Sequence, residues 1–190
     1  MNRKEAIDYN EKLKIEIECL SAEYEVDFSL CGFLVDNHIV VFPDNPRKGM
    51  LFLGEESVSY KPGNIRIDLK NALESGMELL ISLNRPNGIF NYIQLLLATL
   101  IFIKKSTKLV IGKVEAFVVY VLHKENAYYS GIDEEDLICK VQKLYREREE
   151  IELNSVEISE AINQLYENKV VDFKNGNVKL IEVVWSNKIV

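Results

Sequence analysis

Asn154-Ser-Val-Glu-Ile-Ser-Glu-Ala-Ile-Asn-Gln-Leu-Tyr-Glu-Asn-Lys-Val-Val-Asp-Phe-Lys-Asn-Gly-Asn-Val-Lys-Leu-Ile-Glu-Val-Val-Trp185 joins a helix-start signal, a helical apolar face and a tight-turn signal in one run. Asn154 followed three residues later by Glu157 is the signature of a helix N-terminal capping box. Ile158, Ala161, Ile162, Leu165 and Tyr166 then recur at the spacing of one helix face, and we expect that face to be buried. The apolar runs Val170–Phe173 and Val178–Trp185 flank Lys174-Asn175-Gly176-Asn177, and Asn-Gly between two such runs specifies a tight β-hairpin. A helix passing directly into a hairpin is therefore the expectation for the C-terminal part of the chain.

Working back, two more helices precede it. Asp133-Glu134-Glu135-Asp136 places four carboxylates at the start of a helix, where the dipole favours them, and Leu137, Ile138, Val141, Leu144 and Tyr145 form its core face. Before a loop ending at Gly131, Val114, Phe117, Val118, Val121 and Leu122 mark the first helix of the set.

Further upstream, Ile89–Ile103 (IFNYIQLLLATLIFI) is almost wholly apolar but short of the ~20 residues that a membrane span requires. A helix apolar on all sides must be covered on all sides, so residues 87–105 are expected to form a central buried helix. Residues 70–83 read as another short helix, closed by Asn84-Arg85-Pro86. The beginning of the chain is ambiguous: residues 3–12 look helical, whereas 13–19 alternate and set helix against strand. Tyr24, Val26, Phe28 and Leu30 alternate as in a strand. Phe33–Val35 and Ile39–Phe42 read as a hairpin across Asp36-Asn37-His38, stopped by Pro43-Asp44-Asn45-Pro46. Met50–Leu53 suggests a further strand, and Lys61-Pro62-Gly63-Asn64 a turn before the alternating Ile65, Ile67 and Leu69. The fold class is thus α+β, with a mixed unit over residues 1–106 and a helical unit with a C-terminal hairpin over 112–190.

Three amphipathic helices followed at once by a hairpin resemble the winged-helix superfamily. The resemblance covers residues 112–185 and rests on element order and on the passage from Leu165 through Asn168-Lys169-Val170-Val171 into the wing. Asn168 stands where the superfamily's turn commonly has Gly, and Asn also tolerates the left-handed conformation. In size and order the chain is similar to small winged-helix accessory subunits of bacterial chromosome-maintenance and phage-defence ATPase systems.

In winged-helix DNA readers the third helix enters the major groove. Here its solvent face is Glu157, Glu160, Asn163, Gln164 and Glu167, with no Lys or Arg from Asn154 through Asn168. Carboxylates facing a polyanion are repelled. The chain carries a formal charge of −7 and has a pI of about 5.0. Residues 112–190 hold ten basic against fifteen acidic residues, hence most of that excess. This argues against major-groove reading and for a protein partner with a basic surface, met by Glu157, Glu160, Gln164, Glu167 and, on the wing, Lys174 and Asn175. A homodimer or a larger complex is compatible with this. Two alternatives stay open: a transcriptional regulator touching DNA through the connector lysines Lys104, Lys105, Lys108 and Lys113 and the wing, and an acidic inhibitor or immunity-type protein that masks a basic enzyme. Lys140, Lys143, Arg146 and Arg148 on the second helix alternate with acids and sit where a helix C-terminus favours cations.

No phosphate loop, dinucleotide fingerprint, nucleophile elbow or zinc-protease motif occurs. His38 and His123 read as structural. Cys19, Cys31 and Cys139 have no ligand-pair spacing and are expected as three buried thiols, with Cys139 half-buried between Ile138 and Val141. The expectation is a non-enzymatic protein with no metal and no cofactor. The charged N-terminus, Met1-Asn2-Arg3-Lys4-Glu5, lacks a signal-peptide core, from which a cytoplasmic protein is expected.

Overall fold

A computed structural model describes residues 2–43, 63–105 and 110–186. The competition over 13–19 resolves as helix: α1 spans Arg3–Glu23, capped by a reciprocal Asn2–Glu5 box. Leu13, Ile17 and Leu20 fall on its buried face, while Ile15, the residue that suggested alternation, is 58% exposed. The expected strand over Tyr24–Leu30 and the hairpin through Asp36-Asn37-His38 are both corrected. Phe28–His38 is a helix, α2. Its cause is local: the Asp27 carboxylate accepts from the Ser29 N–H at 2.9 Å and fixes the first turn. Leu30, Cys31, Leu34, Val35 and His38 then make a helical stripe into the core. Only Ile39–Val41 of that region is strand, β1. The readings at 44–46, at Met50–Leu53 and at Lys61-Pro62 lie outside the described residues.

Strand β2 (Ile65–Asp68) leads into α3 (Leu69–Ser82), and a 3-10 turn at Pro86–Gly88 opens α4 (Ile89–Lys105). Thirteen residues of α4 are buried, Tyr92 through Ile101 without a break, so this helix is enclosed by the others. Pro86–Lys105 has the length and hydropathy to cross a membrane, but two thirds of its most apolar window is buried within the protein. Two of its polar groups bond within the core. Tyr92 OH donates to the Ala72 carbonyl of α3 at 2.8 Å. Gln94 Nε2 donates to the Ile111 carbonyl at 2.8 Å, and the Ile111 N–H donates to Tyr24 OH at 2.8 Å. The chain entering the C-terminal helices is thereby tied to both α1 and α4.

The remaining elements are α5 (Lys113–Lys124), β3 (Ile132–Asp133), α6 (Glu134–Glu149), α7 (Ser155–Glu167), β4 (Val171–Lys174), β5 (Asn177–Leu180) and β6 (Val183–Ser186). Asp133 caps α6 through Glu135 N and Asp136 N, and the Asn154–Glu157 box caps α7 as its spacing predicts. At the hairpin, Lys174 pairs with Asn177. Both Asn175 (φ 54°) and Gly176 (φ 82°) are left-handed, the geometry of a type I′ turn. Stacked Phe90 and Phe117 rings, 3.8 Å between centroids, join α4 to α5, so one continuous apolar core runs through the protein.

Three details of the C-terminal reading change. Val178–Trp185 is not a single strand: it breaks at Ile181-Glu182. There Ile181 N–H bonds Val170 and the Glu182 carbonyl accepts from Lys70 N–H. The continuation, β6, then pairs with β2 in a first sheet ordered β1-β2-β6, while β3-β5-β4 forms a second, all pairs antiparallel. Second, the left-handed residue after α7 is Lys169 (φ 51°), not Asn168. Asn168 keeps a right-handed backbone while its side-chain amide donates to the Gln164 carbonyl at 2.8 Å. Third, Tyr166 leaves the buried face of α7 and is 49% exposed, its ring packed edge-on against Phe173 at 5.3 Å.

Candidate functional site

Helix α7 is held by Ile158, Ala161, Ile162 and Leu165, all buried against α5 and α6. This packing turns Val156, Glu160, Asn163 and Glu167, at i, i+4, i+7 and i+11, into one solvent-facing stripe, flanked by exposed Glu157 and Gln164. The two outer carboxylates differ from Glu157 in an important way. Glu157 Oε2 accepts from the Asn154 N–H at 3.1 Å, so it is part of the helix cap as well as of the face. Lys174 and Asn175 are exposed at the turn between β4 and β5.

The chain between the end of α7 and the β4–β5 hairpin leaves an open cleft of about 350 Å³, lined by Tyr166, Glu167, Lys169, Val171, Asp172 and Ile181. Sequence reasoning missed this cleft, because the helical period places Tyr166 in the core and continuous pairing places Ile181 inside a strand.

Two of the four connector lysines, Lys104 and Lys113, have partners within the protein. Lys104 Nζ, half-buried, donates to the main-chain carbonyls of Asn168 and Lys169 at the end of α7. Burial first, then Lys169 and Lys105, lower its pKa to about 8. Lys113 pairs with Glu149 at 2.8 Å. Lys105 is exposed, and Lys108 lies outside the described residues. On α6, Lys140 binds Glu125 at 2.7 Å and Asp136 at 3.2 Å, while Lys143, Arg146 and Arg148 are exposed.

No family model, curated protein or solved structure matches the chain. The site must therefore be read from its own chemistry.

Both histidines have partners within the fold. The Ser75 hydroxyl donates to the Asn71 carbonyl of its own helix and shares a hydrogen bond with His38 Nε2 at 2.8 Å, which ties the end of α2 to α3. Burial lowers the His38 pKa, and nearby Asp68 opposes that only in part. His123 Nδ1 hydrogen-bonds Tyr128 OH, and burial followed by Lys124 and Lys70 lowers its pKa to about 4. Lys70 stands over the Tyr128 ring, 5.1 Å from its centre, and lies 3.5 Å from Glu182. This cluster bolts α3 and the approach to β6 onto α5. The cysteines differ from expectation: Cys31 is buried, but Cys19 and Cys139 are exposed, because the core stripes of α1 and α6 pass them by. Among the described residues no three His, Cys, Asp or Glu side chains are grouped to hold a metal.

Proposed function

We propose that residues 112–185 form a winged-helix module which docks a protein partner through α7 and the wing, making this chain a non-catalytic adaptor or subunit of a larger cytoplasmic assembly. The element order supports the module reading: three helices are followed by a hairpin, and β3 ties that hairpin to the helical part. The docking reading rests on one observation above all. The solvent face of α7 carries Glu157, Glu160 and Glu167 and not one cation. Such a face complements a basic protein surface and repels phosphates. The internal roles of Lys104 and Lys113 support the same choice, since they withdraw two of the cations that a DNA-binding connector would need.

A salt titration with duplex DNA tests this. We expect no specific complex at physiological ionic strength. Affinity that falls steeply with added salt would overturn the adaptor reading in favour of a regulator that neutralises phosphates.

A further inference from the structure

The cleft at the end of α7 has the features of an anchor site. Val171 is 1% exposed and Ile181 half-buried, giving an apolar floor, and Tyr166 stands as one wall, braced by Phe173. At about 350 Å³ it lies at the small end of binding pockets, which run roughly 300–1,000 Å³. It is also open to solvent, which suits an inserted side chain better than an enclosed cofactor. Its charges are unevenly arranged. Asp172 is engaged by Lys179 at 3.4 Å, and Lys169, two residues past Glu167 in the turn after α7, lines the cleft. On the helix side stand Glu167 and, two turns further along the same stripe, Glu160.

We infer that this cleft is the anchor pocket of the docking face, taking one aliphatic or aromatic side chain from a partner segment whose Lys or Arg residues lie along α7 over Glu167 and Glu160. The inference rests on the adaptor reading and adds the partner's chemistry to it. Charge complementarity sets the direction: the segment's cations run away from Lys169, along the carboxylate stripe. Glu160 and Glu167 are about 10 Å apart along the helix axis, so an extended segment places its two cations about three residues apart. Burying the apolar side chain against Tyr166, Val171 and Ile181 supplies the affinity, and the ion pairs supply register.

The test uses the full chain, isotope-labelled and followed by NMR, with three short synthetic peptides. One carries two lysines and a leucine anchor in this spacing, one has the leucine replaced by serine, and one has the lysines replaced by glutamates. The first peptide is expected to shift the amides of Tyr166, Val171 and Ile181 together with those of Glu160 and Glu167. Loss of the anchor should weaken binding roughly tenfold or more and silence the cleft. Tyr166→Ala should reproduce that loss, and Glu167→Lys should weaken the lysine peptides alone. If the serine peptide binds α7 as well as the leucine peptide does, the anchor pocket is overturned and the docking face survives. If neither lysine peptide perturbs α7, both fall.

Discussion

The Lys104 ammonium at the end of α4 donates to the main-chain carbonyl of Asn168 at the end of α7. One side chain thus joins the central helix to the far end of α7, where the last carbonyls lack helical partners. It also converts a lysine that looks like part of a basic connector into an internal cap.

This contact has a pH signature. Lys104 has a folded pKa of about 8 against an ordinary 10.5. Between those values the unfolded chain holds a proton that the folded chain does not, so stability should rise with pH across the window. The difference in unfolding free energy between wild type and Lys104→Met, which cancels the tyrosines' contributions, should grow as the pH is raised above 8. A flat or falling difference would mean that the carbonyls keep the ammonium charged.

Gly76 of α3 leaves room for the Tyr92 ring of α4. A β-carbon there would lie 2.2 Å from the Tyr92 ring. Gly76→Ala gains about 1 kcal/mol of helix propensity but forces the ring aside and endangers its buried bond to Ala72. We expect a net loss of about 3 kcal/mol in chemical denaturation. Partial recovery should follow when Tyr92→Leu is added.

His123 makes the fold acid-sensitive. Its pKa falls from 6.5 to about 4 on folding, so the unfolded state binds the extra proton between those values. Stability should decline as pH drops from 6.5 towards 4. His123→Gln should flatten the profile in that interval, and an unchanged slope would place the acid sensitivity elsewhere.

Thr99 is fully buried in α4, and among the described residues its hydroxyl has no hydrogen-bond partner. Val has nearly the same shape without the polar atom. Thr99→Val should therefore raise the unfolding free energy by about 1 kcal/mol. Destabilisation would show that the hydroxyl has a role in the native protein.

The part of the fold legible in the sequence is the part specified locally. Caps at Asp133 and Asn154, the apolar spacing of α5 to α7, and Asn175-Gly176 each act over a few residues, and the acidic stripe of α7 follows directly from that spacing. The N-terminal part was misread where two periods coincide. Leu13 and Ile17 are separated by four residues, which is one helix face and also one strand face, and only packing leaves Ile15 outside. Phe28 misled similarly, an apolar residue that ends up 64% exposed at the first turn of α2. The pairing of β6 with β2 joins residues more than a hundred positions apart, and nothing near either strand announces it. The cleft beside Tyr166 was hidden for the same reason: it arises where β5 breaks and the chain departs for the other sheet.

Whether the carboxylates of α7 meet a basic protein surface is decided by quantitative affinity purification from the native host with wild type and the Glu160→Lys/Glu167→Lys variant, which spares the Glu157 cap. A basic protein should be recovered in stoichiometric amount with wild type and lost with the variant, while both bait proteins stay folded. Recovery of the same protein in equal amount with both would overturn the proposed docking face.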